Sequence, residues 1–181
     1  MAIQIHEHLP LLESILGEHA QAIGSQFEPY KNHVYRVLSF CFAFHQCEGD
    51  DQEKLIIAAC FHDLGMWPGD IVDYIAPSIA LAQGYLSQRG KSHWSAEISE
   101  MIDLHHKFRS VRNSQFALVE VFRKGDWVDA TQGLRRFGLP GADVKAVQSS
   151  FANLGFHNNL MRLAWGEFKR HPLNPLPMMK W

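Results

Sequence analysis

Apolar residues recur every three to four positions along most of the chain. Leu9, Leu12, Ile15, Leu16, Ala20 and Ile23 follow a helical period, and residues 25–29 break it. The next stripe is Val34, Val37, Leu38, Cys41 and Phe42, on a helix predicted from about Tyr30 to His45, with His33 at its start. Glu48-Gly49-Asp50-Asp51 is a turn, and Asp50 or Asp51 is expected to cap the helix that follows. That helix runs as an apolar stretch from Leu55 into an adjacent pair, His62-Asp63. Gly65 then reads as the glycine just past its end.

Met66-Trp67-Pro68-Gly69-Asp70 is a loop by its Pro-Gly dipeptide, and a short turn is expected over 71–75. Further helices are predicted over Ser78–Gln88 with Pro77 at their start, from Ser92 through His105, and over Phe116–Ala130, Ala142–Ala152 and Asn158–Lys169. Pro172, Pro175 and Pro177 make the tail extended. No stretch alternates as a half-buried strand does. The expected fold class is all-α: one domain over 1–181, with helix 9–23 and helices 140–170 packed on a core of about 30–130.

Composition narrows the function classes. With 181 residues and 46% hydrophobic content the chain is long enough for a real core. A net charge of -2 gives no nucleic-acid signal, and the apolar runs are too short to span a membrane. The N-terminus has no basic segment followed by an apolar one, and Cys41, Cys47 and Cys60 form no CxxC pair. Both features lead us to expect a cytoplasmic protein with reduced thiols. The unusual count is 11 histidines, dispersed along the chain.

A metal site needs imidazoles or carboxylates converging from separate rigid elements. His62 and Asp63 end a helix otherwise built for burial, and they sit about 100° apart around it, close enough to turn to one point. His33 opens another helix. Asp126 lies among Phe122, Trp127 and Val128, so it is expected to face inward, where a lone carboxylate is costly and a cation offsets the cost. Mixed His/carboxylate ligation suits a transition metal, with Zn, Mn, Fe, Co and Ni not distinguishable.

The order of these residues resembles the HD-domain superfamily of metal-dependent phosphohydrolases. His33-Val34-Tyr35-Arg36-Val37 is similar to that family's H-x-x-R-V. Phe61-His62-Asp63-Leu64-Gly65 is similar to its HD motif, and Gly125-Asp126-Trp127-Val128-Asp129-Ala130 to its A-D-x-x-D-A. The resemblance implies a compact bundle of orthogonally packed helices. It also implies His33, His62, Asp63 and Asp126 as ligands of one divalent metal, with Asp129 a surface or supporting carboxylate. The implied activity is hydrolysis of a small phosphorylated substrate, a nucleotide among the candidates, by attack of a metal-bound water. Asp70 and His105-His106 are the candidate catalytic residues, Asp70 to orient the water. Arg36, Lys107, Arg109 and Lys124 are candidates for substrate binding, and Arg36 equally for holding Asp63 or Asp126. Tyr74 and Trp67 could wall a pocket, with core packing the plainer role. Ala76-Pro77 stands where one two-metal branch has an extra histidine, and its Gly-Tyr-Pro signature is missing, which argues against a second metal. Two alternatives remain open: a redox or hydration enzyme on the same fold, and a non-catalytic metabolite-binding module that keeps the metal site. Homo-oligomerisation is left open as well.

Overall fold

The computed structural model describes residues 3–67, 73–173, 176, 178 and 179. Among these the regular structure is helical, with no strand. The helices are α1 (Pro10–Glu18), α2 (Ala20–Ile23), α3 (Phe27–Phe44), α4 (Asp50–Phe61), α5 (Ile75–Gln88), α6 (Ser95–Leu104), α7 (Ala117–Ala130), α8 (Gly141–Ser150) and α9 (Phe156–Arg170). Short 3-10 turns over Gly24–Gln26, Leu64–Met66 and Ser92–Trp94 link some of them.

α4 runs through the middle of the molecule. Every residue from Leu55 to Phe61 is at most 5% exposed, so the helix is apolar all round rather than along one stripe. α1, α3, α5, α6 and α7 all pack against it. α3 makes its most extensive contact with α7, and α5 with α6. α8 and α9 lie against α3.

Three sequence expectations change in detail. The predicted break at 25–29 is shorter, because α3 begins at Phe27 and carries Pro29 in its first turn, where a missing N–H costs no hydrogen bond. The residue preceding α4 is Gly49, with Asp50, Asp51 and Glu53 inside its first turn, where their charge suits the positive end of the helix dipole. Gly65 does not end a helix in a left-handed conformation. It lies in the Leu64–Met66 turn, and a Cβ there would come within 2.6 Å of both Ser78 N and Tyr74 O. Gly65 is therefore a close-approach residue: its bareness lets the start of α5 sit directly on the turn after His62-Asp63.

Gly125 does the same for α7. A Cβ at this position would fall on the Cys41 sulfur and 2.9 Å from Val37 O. Without one, α7 closes onto α3 and brings Asp126 alongside His33. All three cysteines are free. No helix of the described residues is long and apolar enough to cross a membrane.

Candidate metal centre

Two helices and the ends of two others converge on one buried point. His33 comes from the first half of α3, His62 and Asp63 from the end of α4, Asp126 from the middle of α7, and His105-His106 from the end of α6. His62 and His105 are 0% exposed, and His33, Asp63 and Asp126 are no more than 3%. Their donor atoms fall into three overlapping sets, each within 4.8 Å: His33, His62 and Asp126; His62, Asp63 and His105; His105, His106 and Asp126.

Backbone and carboxylate partners turn the imidazoles toward that point. His62 Nδ1 donates to Ala59 O at 2.8 Å, and His105 Nδ1 donates to Ile102 O at 2.6 Å. His33 Nδ1 donates to Asp129 Oδ2 at 2.6 Å. In each neutral ring this leaves Nε2 as a bare acceptor. His33 Nε2 and His62 Nε2 stand 3.0 Å apart, and His62 Nε2 is 3.3 Å from Asp63 Oδ2. Asp126 Oδ1 is 3.7 Å from His62 Nε2 and 3.8 Å from His33 Nε2. Donors each about 2 Å from a shared ion stand roughly 3 to 3.5 Å from one another, so the spacing suits a cation between them.

The unpartnered atoms point the same way. Asp63 Oδ1, Asp126 Oδ2 and His105 Nε2 are buried and have no hydrogen-bond partner. An unsatisfied buried polar group costs about 1–3 kcal/mol, more when charged, and three at one point call for a ligand that serves them together. Charge balance agrees. Burial pushes the Asp126 carboxyl above the usual range, against the pull of His105, His62 and His33. Burial also pushes Asp63 upward, but His62 and His105 outweigh it and hold that carboxyl well below the ordinary value. One of two adjacent carboxyls is thus biased toward keeping its proton, as expected where positive charge is short.

A second layer fixes His33. Arg36 Nε donates to Asp129 Oδ1 at 2.5 Å and its Nη2 to Asp129 Oδ2 at 2.9 Å, a two-pronged pair inside the protein. Its Nη1 donates to Phe151 O at 3.1 Å. His157 on α9 donates from Nε2 to the backbone carbonyl of Asp129 at 2.9 Å. Asp129 is 1% exposed, so it is not a surface carboxylate, and His33 and Arg36 hold its carboxyl well below the usual carboxylate range against the cost of burial, which keeps it ionised. Arg36 therefore holds Asp129, not Asp63 or Asp126, and its guanidinium is occupied by groups of the protein itself.

The remaining sequence candidates are scattered. His105 joins the donor cluster, 3.5 Å from Asp63 Oδ1 through Nε2. His106 lies at its edge, with Nδ1 3.8 Å from Asp126 Oδ2 and a 2.6 Å hydrogen bond joining Nε2 to the Tyr74 hydroxyl. Lys107 and Arg109 follow directly, and the Lys107 carbonyl accepts from Arg123 Nη1 and Trp127 Nε1. Lys124 is not brought to the cluster: its Nζ lies 5.8 Å from the ring centre of Phe44, at the opposite end of α3 from His33. Asp70 lies outside the described residues. Asp129's bond to His33 spans 96 residues and His157's to Asp129 spans 28. The paired-aspartate spacing hinted at the first, and nothing local signals the second.

The HD domain family model matches residues 30–131, more than half of the chain. The chain belongs to the HD domain family. Most members of this family are metal-dependent phosphohydrolases. The HD domain here spans α3 to α7 and so contains every residue of the donor cluster. Comparison with curated proteins and with solved structures returned no match.

Proposed function

We propose that this HD domain is a metal-dependent phosphohydrolase acting on a small phosphorylated substrate. The observation that carries the reading is the convergence of unpartnered, buried donors, Asp63 Oδ1, Asp126 Oδ2 and His105 Nε2, beside the facing Nε2 atoms of His33 and His62. His33, His62, Asp63 and Asp126 hold the ion, and His105 adds a fifth donor. A divalent ion bound there lowers the pKa of a coordinated water and polarises a phosphoryl oxygen. The chain's own residues supply the rest. Arg36 and Asp129 lock the His33 ring and keep Nε2 bare. His106 is kept neutral by burial and the adjacent His105 imidazole. With Nε2 donating to Tyr74, its Nδ1 is free to take the proton of the attacking water. Lys107 and Arg109, which follow His106 in the chain, are the cations this reading assigns to the phosphate.

The test is metal analysis of protein purified without added metal, then a panel of phosphomonoesters on the same sample. Bound metal at about one equivalent or more, with turnover lost in His62→Ala, supports the reading. A metal-free protein that takes up none on titration refutes it.

The same geometry favours one second reading. His105 and His106 enlarge the donor set to six side chains, enough to hold two ions, which a redox enzyme on this fold requires. Two equivalents of iron with an oxygen-dependent optical signal would select it over hydrolysis.

A further inference from the structure

A cavity of about 180 Å³ opens beside the cluster. Met66, Tyr74 and His106 form its inner wall, and Leu160, Leu163 and Met178 its outer one. His106 belongs to both spaces: its ring is in the donor cluster, and it lines the cavity. Tyr74, Met66 and Ile75 form a small apolar core of their own, with Leu160, Leu163 and Met178 packed against it. Ala164 completes the α9 side without filling it.

The lining is nearly all hydrocarbon and thioether. Its polar groups are the Tyr74 hydroxyl and His106 Nε2, which already bond to each other. A nucleobase and ribose seated here would bury several donors and acceptors with nothing to meet them, which weakens binding. No cation faces the cavity among its described lining residues. The size also decides. An apolar cavity of roughly 150 Å³ accommodates one benzene-sized molecule, so this space suits an unbranched chain or ring of about six carbons, less than a nucleoside.

We propose that the substrate carries an anionic head on the metal centre and an apolar tail of about six carbons in this cavity. This rests on the phosphohydrolase reading for the identity of the head. The tail assignment rests on the cavity alone. Tyr74 and His106 stand at the boundary, where head and tail join. Nucleotides are poor substrates on this view.

The probes are n-alkylphosphonates from methyl to decyl, which cannot be hydrolysed at the C–P bond by phosphomonoester chemistry, and adenosine monophosphate. Binding to the manganese-loaded protein is measured by calorimetry, in parallel with turnover of the matching n-alkyl phosphates. Affinity should rise about 3- to 4-fold per methylene, the factor that corresponds to ~0.8 kcal/mol for each buried CH₂, and level off near six carbons. Two variants locate the effect. Leu163→Asp should flatten the chain-length slope by charging the wall, and Ala164→Phe should end it after two or three carbons by filling the space. Metal content and helical circular dichroism show whether each variant is folded; Ala164→Phe stays apolar and is the safer of the two. Affinity independent of chain length, or adenosine monophosphate binding more tightly than hexylphosphonate, overturns the proposal. So does a slope that survives in a folded Ala164→Phe. Chain-length-dependent binding without turnover of any ester would sink the hydrolase reading and leave the cavity assignment standing.

Discussion

Two walls of one site are built by opposite means. The wall made by α3 and α7 is polar and over-determined. His33 has Asp129, Asp129 has Arg36, Arg36 has the Phe151 carbonyl, and His157 secures the Asp129 backbone. The wall made by Tyr74, His106 and α9 is apolar among its described lining residues, with a hydrogen bond between Tyr74 and His106 at its inner edge. Position matters on the first wall, because a bare Nε2 displaced by an ångström is no longer a ligand, and hydrogen bonds fix direction where packing does not. On the second wall only exclusion of water and rough shape matter, and side chains such as Met66 and Met178 adapt to what enters. On the proposed reading, one chain thus makes a rigid half for the reacting group and a compliant half for the rest of the substrate.

The largest effect should come from removing a donor on the rigid side. His62→Ala deletes a group shared by two of the three donor sets, and Asp63→Ala deletes the carboxylate beside it, so stoichiometric metal should be lost along with the stabilisation that metal binding confers. Elemental analysis and thermal melts read both. Normal metal content in both variants would mean that the rigid wall serves some other end.

Next comes the layer behind the ligands. Arg36→Ala leaves Asp129 a buried carboxylate with one partner gone, and breaking such a pair costs about 3–5 kcal/mol. Because His33 loses its fixed ring at the same time, metal affinity should drop about 10- to 100-fold. Urea unfolding and metal titration measure the two losses separately. Asp129→Asn should lower affinity less than Asp126→Asn, since Asp126 is one of the proposed ligands and Asp129 is bonded to His33 Nδ1 behind them. Equal losses would erase the distinction between the layers.

How much of this was legible beforehand follows from how far apart the partners lie. His33, His62, Asp63 and Asp126 stood out because the motif holds their order, and the all-α architecture because apolar residues recur at helical spacing. The bidentate pair of Arg36 with Asp129 joins residues 93 apart, and no local pattern says which carboxylate the arginine meets. Gly65 was misread for a different reason. A glycine after a helix serves either a left-handed turn or a close approach, and only the position of Ser78 and Tyr74 decides between them. The cavity was out of reach because its two sides come from Tyr74 and from α9, some ninety residues on.

Glycine substitutions sharpen the point in the middle of the energy range. Gly125→Ala puts a methyl onto Cys41 and the Val37 carbonyl, at the α3–α7 contact that carries the rigid wall. A loss of about 1–3 kcal/mol is expected, seen as a lower urea midpoint. Gly84→Ala in α5 meets nothing within 4 Å and should gain about 0.5–1 kcal/mol. Opposite signs in the two variants would tie the helix contact to the site's rigidity; the same sign would not.

Proton competition gives a smaller, graded effect. Burial lowers the pKa of His62, but Asp63 and Asp126 outweigh it and bring the group up to about 9 when no ion is present. A raised folded-state pKa stabilises the metal-free protein fully below pH 6.5, and that contribution is lost as pH rises through about 9. Metal binding has the reverse dependence, because it needs the neutral imidazole. The difference in Tm between loaded and metal-free protein should therefore widen from pH 6.5 to 9. A constant difference would take His62 out of the ligand set.

The smallest effect is expected at Lys124, and it tests whether nearness in sequence says anything about the wall. Lys124 precedes Asp126 by two residues, a turn of about 200° around α7, so the two side chains leave opposite faces of the helix. Its ammonium lies over Phe44, eleven residues along α3 from His33, or about 16 Å at helical rise. Only a half-exposed cation–π contact is lost in Lys124→Ala, about 0.5–1 kcal/mol of stability. Metal affinity and the KM for any phosphate ester should match the parent protein, because no donor and no supporting hydrogen bond touches this side chain. A tenfold rise in KM without a change in metal affinity would instead put Lys124 within reach of the substrate. The anionic head would then extend away from the apolar cavity toward the Phe44 end of α3, and the contrast between the two walls would need a third surface.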